Sequence, residues 1–180
     1  MYRINKDKRV VASAQKIIDA LRKCLEKKSF NEIGVSDLAR EAGISRATFY
    51  RLFDTPSDIF EYICDDFASN IVGEYKATSF RDQEEASKFI LEHWMVNANV
   101  IETVMKCGRV WLLMRSMENH MRDLSPGLPG KFTPEEMDYV KAAAFAQMGA
   151  MLMVWVKHGK KEPVDMLIRL YRKIHSGNYA

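Results

Sequence analysis

The chain has 180 residues, 47% of them apolar and 28% charged, a globular composition that excludes both a disordered tail and a membrane bundle. Its length suits one ordinary domain, or a small domain joined to a somewhat larger one. Net charge is only +3, yet the first 60 residues carry twelve basic against eight acidic side chains, so the whole positive excess lies in the first third.

In chain order, Val11, Ala14, Ile18, Leu21 and Leu25 recur at helical steps and predict a first helix, decorated elsewhere by Lys16, Arg22, Lys23, Lys27 and Lys28. A break at 29–34 follows. Ser36 is placed to cap a brief helix holding Leu38 and Ala39, Gly43 to end it, and Ser45 to cap the next, which carries Phe49, Tyr50 and Phe53. Thr55-Pro56-Ser57-Asp58 starts a long helix with Ile59, Ile63, Phe67 and Ile71 on one face. Further helices are predicted from about Asp82, across 98–124 with a break near Gly108, from the capping box Thr133-Pro134-Glu135-Glu136 to about His158, and after Pro163. The stretch 125–130, SPGLPG, reads as a loop. No segment alternates as a strand, so the expected fold is all-α with about nine helices.

Cys24, Cys64 and Cys107 fit neither a disulfide framework nor a zinc pattern, and the first ten residues hold no apolar stretch fit for a signal peptide. The longest apolar run, Ala142 to Val156, falls short of the roughly 20 residues that span a bilayer and is expected to be a buried core helix. The expectation is a soluble, cytoplasmic protein without membrane contact. The four histidines lack close pairing, Ser13-Ala-Gln-Lys16 has no companion hydrolase motif, and no phosphate-cradling glycine loop occurs. No enzymatic activity, cofactor or metal is expected.

Val35 to Phe53, VSDLAREAGISRATFYRLF, is the informative segment. Two short helices flank a turn at Gly43, the helix-turn-helix arrangement, whose second helix enters the DNA major groove. Small Ala39 lets the helices cross closely, Leu38, Ile44 and Phe49 plug the corner, and Arg46, Thr48, Tyr50 and Arg51 present donors outward. Together with the preceding helix and DTPSDIF after it, this segment resembles the N-terminal domain of TetR-family transcriptional regulators. The residues that carry the resemblance are Ala39, Ala42, Gly43, Ile44, Ser45, Ala47, Thr48, Phe49, Tyr50 and Phe53, over roughly the first 60 to 70 positions. It implies a three-helix DNA-binding domain over 1–55 and a helical ligand-binding and dimerisation domain over 56–180. By position it implies that Ser36 and Ser45 cap helices near phosphate, and that Arg46, Thr48 and Arg51 face bases or backbone. Ala47 would allow close approach, and Tyr50 would bond a phosphate. Where many relatives have a phosphate-contacting lysine, this chain has Pro56.

The C-terminal part resembles the family only in plan. Ten of eleven methionines lie from Met95 onward, with Trp94, Trp111 and Trp155 in the same region. They read as core filling or as an adaptable pocket for a small apolar or aromatic effector, the pocket being sought among Phe67, Trp94, Trp111, Met114 and Phe145. Small residues on the helix after Pro134 give either a close contact within one subunit or, with the last helix, a homodimer interface through Ala143, Ala146, Ala150, Met166 and Leu170. The resemblance favours the dimer. It implies a repressor bound to a pseudo-palindromic double-stranded operator and released by an effector. The rivals are a DNA-bound adaptor with no small-molecule effector, and a ligand carrier or enzyme with an incidental helix-turn-helix.

Overall fold

Asp7 starts the first helix, α1 (Lys8–Leu25), by accepting a hydrogen bond from the Arg9 N–H at 2.7 Å, and Arg22 and Lys23 complement its carbonyl end. The computed structural model describes residues 1–5, 7–121 and 132–175, so the expected loop at 125–130 lies outside the described residues. After a 3₁₀ turn (Phe30–Glu32) come α2 (Val35–Ala42) and α3 (Arg46–Leu52), and then the long α4 (Asp58–Ala77). The remainder comprises α5 (Gln83–Val96), α6 (Ala98–Lys106), α7 (Val110–Met121), α8 (Pro134–Lys157) and α9 (Val164–His175). Among the described residues there are nine α-helices and no strand; one isolated antiparallel bridge joins Tyr2 and Phe53.

Two expected starts are displaced, for one reason: an acid side chain reaches back. In α2 the cap is Gly34, not Ser36. The Asp37 carboxylate accepts from the Gly34 N–H at 3.1 Å, and Ser36 sits exposed in the first turn. In α4 the Asp58 carboxylate accepts from the Thr55 N–H at 2.8 Å and the Asp54 N–H at 3.0 Å. The N–H groups of Asp58, Ile59 and Phe60 bond three residues back, so Pro56 lies in a tight lead-in and the helix begins two residues after it. The Thr133 capping box forms as expected: the Glu136 carboxylate accepts from the Thr133 N–H at 2.8 Å, and the Thr133 hydroxyl from the Glu136 N–H at 3.2 Å.

One apolar core runs from Ala14 on α1 to Tyr171 on α9. Leu38, Phe49, Leu52 and Phe53 close the α1–α3 corner, and Ile59 and Phe60 continue it into α4. In the other half α4 lies along α7, and α5 packs on α9. Gly149 lets α8 approach α7, since a Cβ there would lie 3.0 Å from Met114 Sδ. The expectation of a buried core helix at Ala142 to Val156 is corrected. Of α8 only Met148, Gly149, Leu152 and Trp155 are buried, because α8 packs by one face and leaves Ala142, Ala143, Ala146 and Ala150 exposed among the described residues. By length and composition α8 could cross a membrane, with mean hydropathy 1.3 over its most apolar window, of which 22% is buried.

Candidate nucleic-acid interface and effector cleft

The turn between α2 and α3 depends on Gly43, the one residue type that takes its φ of +64° without strain. The Ile44 N–H bonds the Ala39 carbonyl and the Gly43 N–H the Arg40 carbonyl, closing α2 in a Schellman motif. Ser45 then caps α3 as expected, its hydroxyl oxygen accepting from the Thr48 N–H at 3.0 Å. The same hydroxyl lies 2.9 Å from that of Thr48. With Phe49 and Leu52 buried, α3 can turn only one face outward. That face carries Arg46, Ala47, Tyr50 and Arg51, all exposed, with Thr48 half-buried beside them. Among the described residues neither Arg46 nor Arg51 makes an ion pair, whereas several cations on the supporting elements do. Lys28 and Arg40 both bind Asp37, at 2.6 and 2.8 Å, and Lys23 binds Glu41 at 3.4 Å. The Lys28 ammonium and the Gly34 N–H hold the Asp37 carboxyl below the ordinary carboxylate range.

A second support was not legible in the sequence. The segment before α1 pins the far end of α3: the Arg3 N–H donates to the Leu52 carbonyl at 2.8 Å, and its guanidinium to the Tyr50 carbonyl at 3.3 Å and to Asp54. Tyr2 Oη donates to Asp65 on α4 at 2.9 Å, and Ser116 Oγ on α7 donates to the other oxygen of the same carboxylate. Arg109, in the turn before α7, places its guanidinium 4.8 Å from the Phe30 ring and 5.2 Å from that of Phe60, and donates to Ser57. The α1–α3 unit is thus tied to α7 at two points.

The five residues expected to line a pocket do not converge. Phe67 and Trp94 meet edge to face at 5.1 Å, both buried. Met114 faces Gly149, and Phe145 is half-buried on α8. Trp111 is 55% exposed, with the Arg115 guanidinium 5.1 Å from its ring, because α7 turns its other face to α4. Instead, a cleft of about 310 Å³ opens where α1 meets α4 and the α5–α6 corner, and Phe67 alone of the five lines it. Its walls are Gln15, Ile18 and Arg22 from α1, Asp66, Asn70 and Glu74 from α4, and Asn97 and Asn99 at the corner. A signal for it exists in the sequence: Asp66, Asn70 and Glu74 recur every four residues, a polar stripe alongside the apolar Ile63, Phe67 and Ile71.

On α8 and α9 the residues expected at a dimer interface all lie on the surface side. Ala143, Ala146, Ala150 and Leu170 are exposed and Met166 is half-buried. Ala150, Met166 and Leu170 share a second groove of about 310 Å³ with Val154 and Trp155. Cys24 and Cys64 are buried and unpaired, and burial pushes the Cys64 thiol up to about 12.

Residues 17–63 match the profile of the bacterial regulatory proteins, tetR family. No curated protein matches the sequence. The fold is shared with solved structures over nearly the whole chain. The fatty acid degradation regulator FadR from Bacillus halodurans superimposes with a TM-score of 0.72 at 16% identity, covering 97% of this chain and 98% of that one. A TetR transcriptional regulator from Streptococcus agalactiae 2603V gives 0.65 at 21% identity, covering 94% and 96%. A transcriptional regulator of the TerR/AcrR family from Aquifex aeolicus VF5 gives 0.56 at 13%, covering 91% and 98%. What the chain shares with these regulators is an all-α fold that carries a helix-turn-helix near its N-terminus. The family match covers residues 17–63, the helix-turn-helix and its flanks.

Proposed function

We propose that the protein is a homodimeric repressor that binds a pseudo-palindromic operator and is released by a small-molecule effector. The observation that carries this reading is the division of α3 into a buried apolar face and an exposed face whose arginines have no carboxylate partner among the described residues. Such cations next to a capped, rigidly seated helix suit phosphate and base-edge acceptors. Residues 1–55 form the DNA-binding domain and 56–180 the dimerisation and effector domain, with α4 as the shared lever. Arg46, Thr48 and Arg51 read bases or backbone, Ala47 admits the sugar-phosphate chain, and Tyr50, Ser36 and Ser45 approach phosphate. Pro56 supplies no phosphate contact.

The dimer reading is supported by the exposed small and apolar face of α8 and α9. A second copy placed about a two-fold axis covers Ala143, Ala146 and Ala150 with its own, and Val154 or Leu170 fills the facing groove. The same face accounts for the apolarity of α8 without a membrane. A cleft at the junction of the two units favours an effector-responsive regulator over an effector-free adaptor. Ligand acts only through unequal affinity for the DNA-competent and released arrangements.

The test is an unbiased selection of double-stranded DNA by the intact protein. It should return a two-fold symmetric site, and Arg51→Ala should cost about 1–3 kcal/mol of discrimination at one base position in each half. Tyr50→Phe should instead weaken all sequences about alike, and leave the salt dependence unchanged because the lost phosphate contact is uncharged. Failure to enrich any sequence while the dimer persists would overturn the reading.

A further inference from the structure

The junction cleft differs in chemistry from the apolar effector pocket that the methionines suggest. Its floor is apolar, from Ile18, Ile63, Phe67 and Val100, and its rim is polar. The rim offers acceptors. Gln15 Nε2 donates to Asp19 at 2.9 Å, Asn70 Nδ2 to Asp66 at 3.2 Å, and Asn97 Nδ2 to the His93 carbonyl at 2.8 Å. Each amide spends one of its two N–H groups on its own neighbourhood and keeps its carbonyl oxygen as an acceptor. Three charged side chains, Arg22, Asp66 and Glu74, and His93 line the cleft, and the Arg22 Nε has no hydrogen-bond partner among the described residues. Glu74 meets His93 Nε2 at 2.7 Å, and Arg22 meets Asp19 at 3.4 Å. Asp66 makes no ion pair among the described residues, and burial raises its carboxyl above the ordinary value despite the Asn70 hydrogen bond. Tyr62 and Phe67 add aromatic rings, to which cations are attracted.

We propose that this cleft binds a small protonated amine with an apolar body, the ammonium held by Asp66 and the amide carbonyls and the body lying on Phe67 and Val100. Its placement matters as much as its chemistry. One wall, Gln15, Ile18 and Arg22, is α1 of the DNA-binding unit, and the other walls belong to α4, α5 and α6. A bound amine therefore bridges the two units directly and biases their relative position; this consequence, not the binding itself, rests on the regulator reading above.

Calorimetric titration of the full chain, without DNA, compares 2-phenylethylammonium with its uncharged counterpart 2-phenylethanol. The amine should bind, and the alcohol should bind about tenfold more weakly or worse, the loss of one charge-assisted contact. Asp66→Asn should lose about tenfold in amine affinity and nothing toward the alcohol. Gln15→Ala, exposed on α1 and outside the core, should weaken amine binding and so carries the test if the Asp66 variant melts early. Absence of binding, equal affinity for the alcohol, or full affinity in both variants would overturn the site. A failed DNA selection would strike the regulator reading and leave this result standing.

Discussion

α3 and α8 each bury one face and expose the other, and the two exposed faces could hardly differ more. α3 has 7 residues and shows Arg46, Tyr50 and Arg51 to solvent; α8 has 24 and shows Ala143, Ala146, Ala150 and Val154. A short helix with a polar exposed face costs little in water and waits for a polyanion. A long helix with an apolar exposed face leaves hydrophobic area uncovered, and the stabilisation of covering it, about 25 cal/mol per Å², favours a second protein surface. The comparison teaches that the two functions proposed for this chain can be told apart by what each helix leaves outside.

The largest expected effect falls on the α3 side. Phe49 is fully buried, and Phe49→Ala should destabilise by about 3–5 kcal/mol in denaturant titration. A single shifted transition would mean that the corner and the bundle unfold together; two transitions would split them. On the α8 side, Ala146→Glu puts like charges near the two-fold axis and should yield monomers in analytical ultracentrifugation, with helicity retained. A persistent dimer would place the interface elsewhere. A smaller effect comes from Ser45→Ala, which removes the α3 cap and should cost about 1 kcal/mol, while operator affinity falls further than stability does. The smallest is a pH effect at the start of α4. Burial alone would raise the Asp58 carboxyl, but the Met1 ammonium at 2.8 Å and the Thr55 N–H outweigh it and hold it below the usual value. Its stabilisation is complete above the unfolded carboxylate value and is lost as pH falls through the lower folded value. Asp58→Asn should flatten that acid limb of the melting curve.

Local signals made most of the fold legible. Helix periodicity, the Thr133 box and the glycines at 43, 108 and 159, all with positive φ, mark elements through contacts a few residues apart. The helix-turn-helix was legible for the same reason, since Gly43, Ser45 and Phe49 do their work within one turn of each other. Ser36 was misjudged because a hydroxyl and a carboxylate compete for one N–H, and the Asp37 carboxylate, fixed by Lys28, wins. The five residues expected around a pocket lie apart for a different reason. Which side of α7 faces inward depends on α4 from far along the chain, and hydrophobicity alone put Trp111 inside. The cleft between α1, α4 and the α5–α6 corner is assembled from three distant segments, so its outline needed coordinates although its α4 stripe did not.

Asp65 receives hydroxyl donors from residues 63 positions earlier and 51 positions later. Both hydrogen bonds close long loops, which lose much chain entropy and form only once the surrounding helices are in place. Amide hydrogen exchange at Arg3, whose N–H is held by Leu52, should therefore report the opening of the α4–α7 seam rather than fraying of a chain end. Such long-range ties predict that the first 55 residues and the helices after them unfold as one cooperative unit.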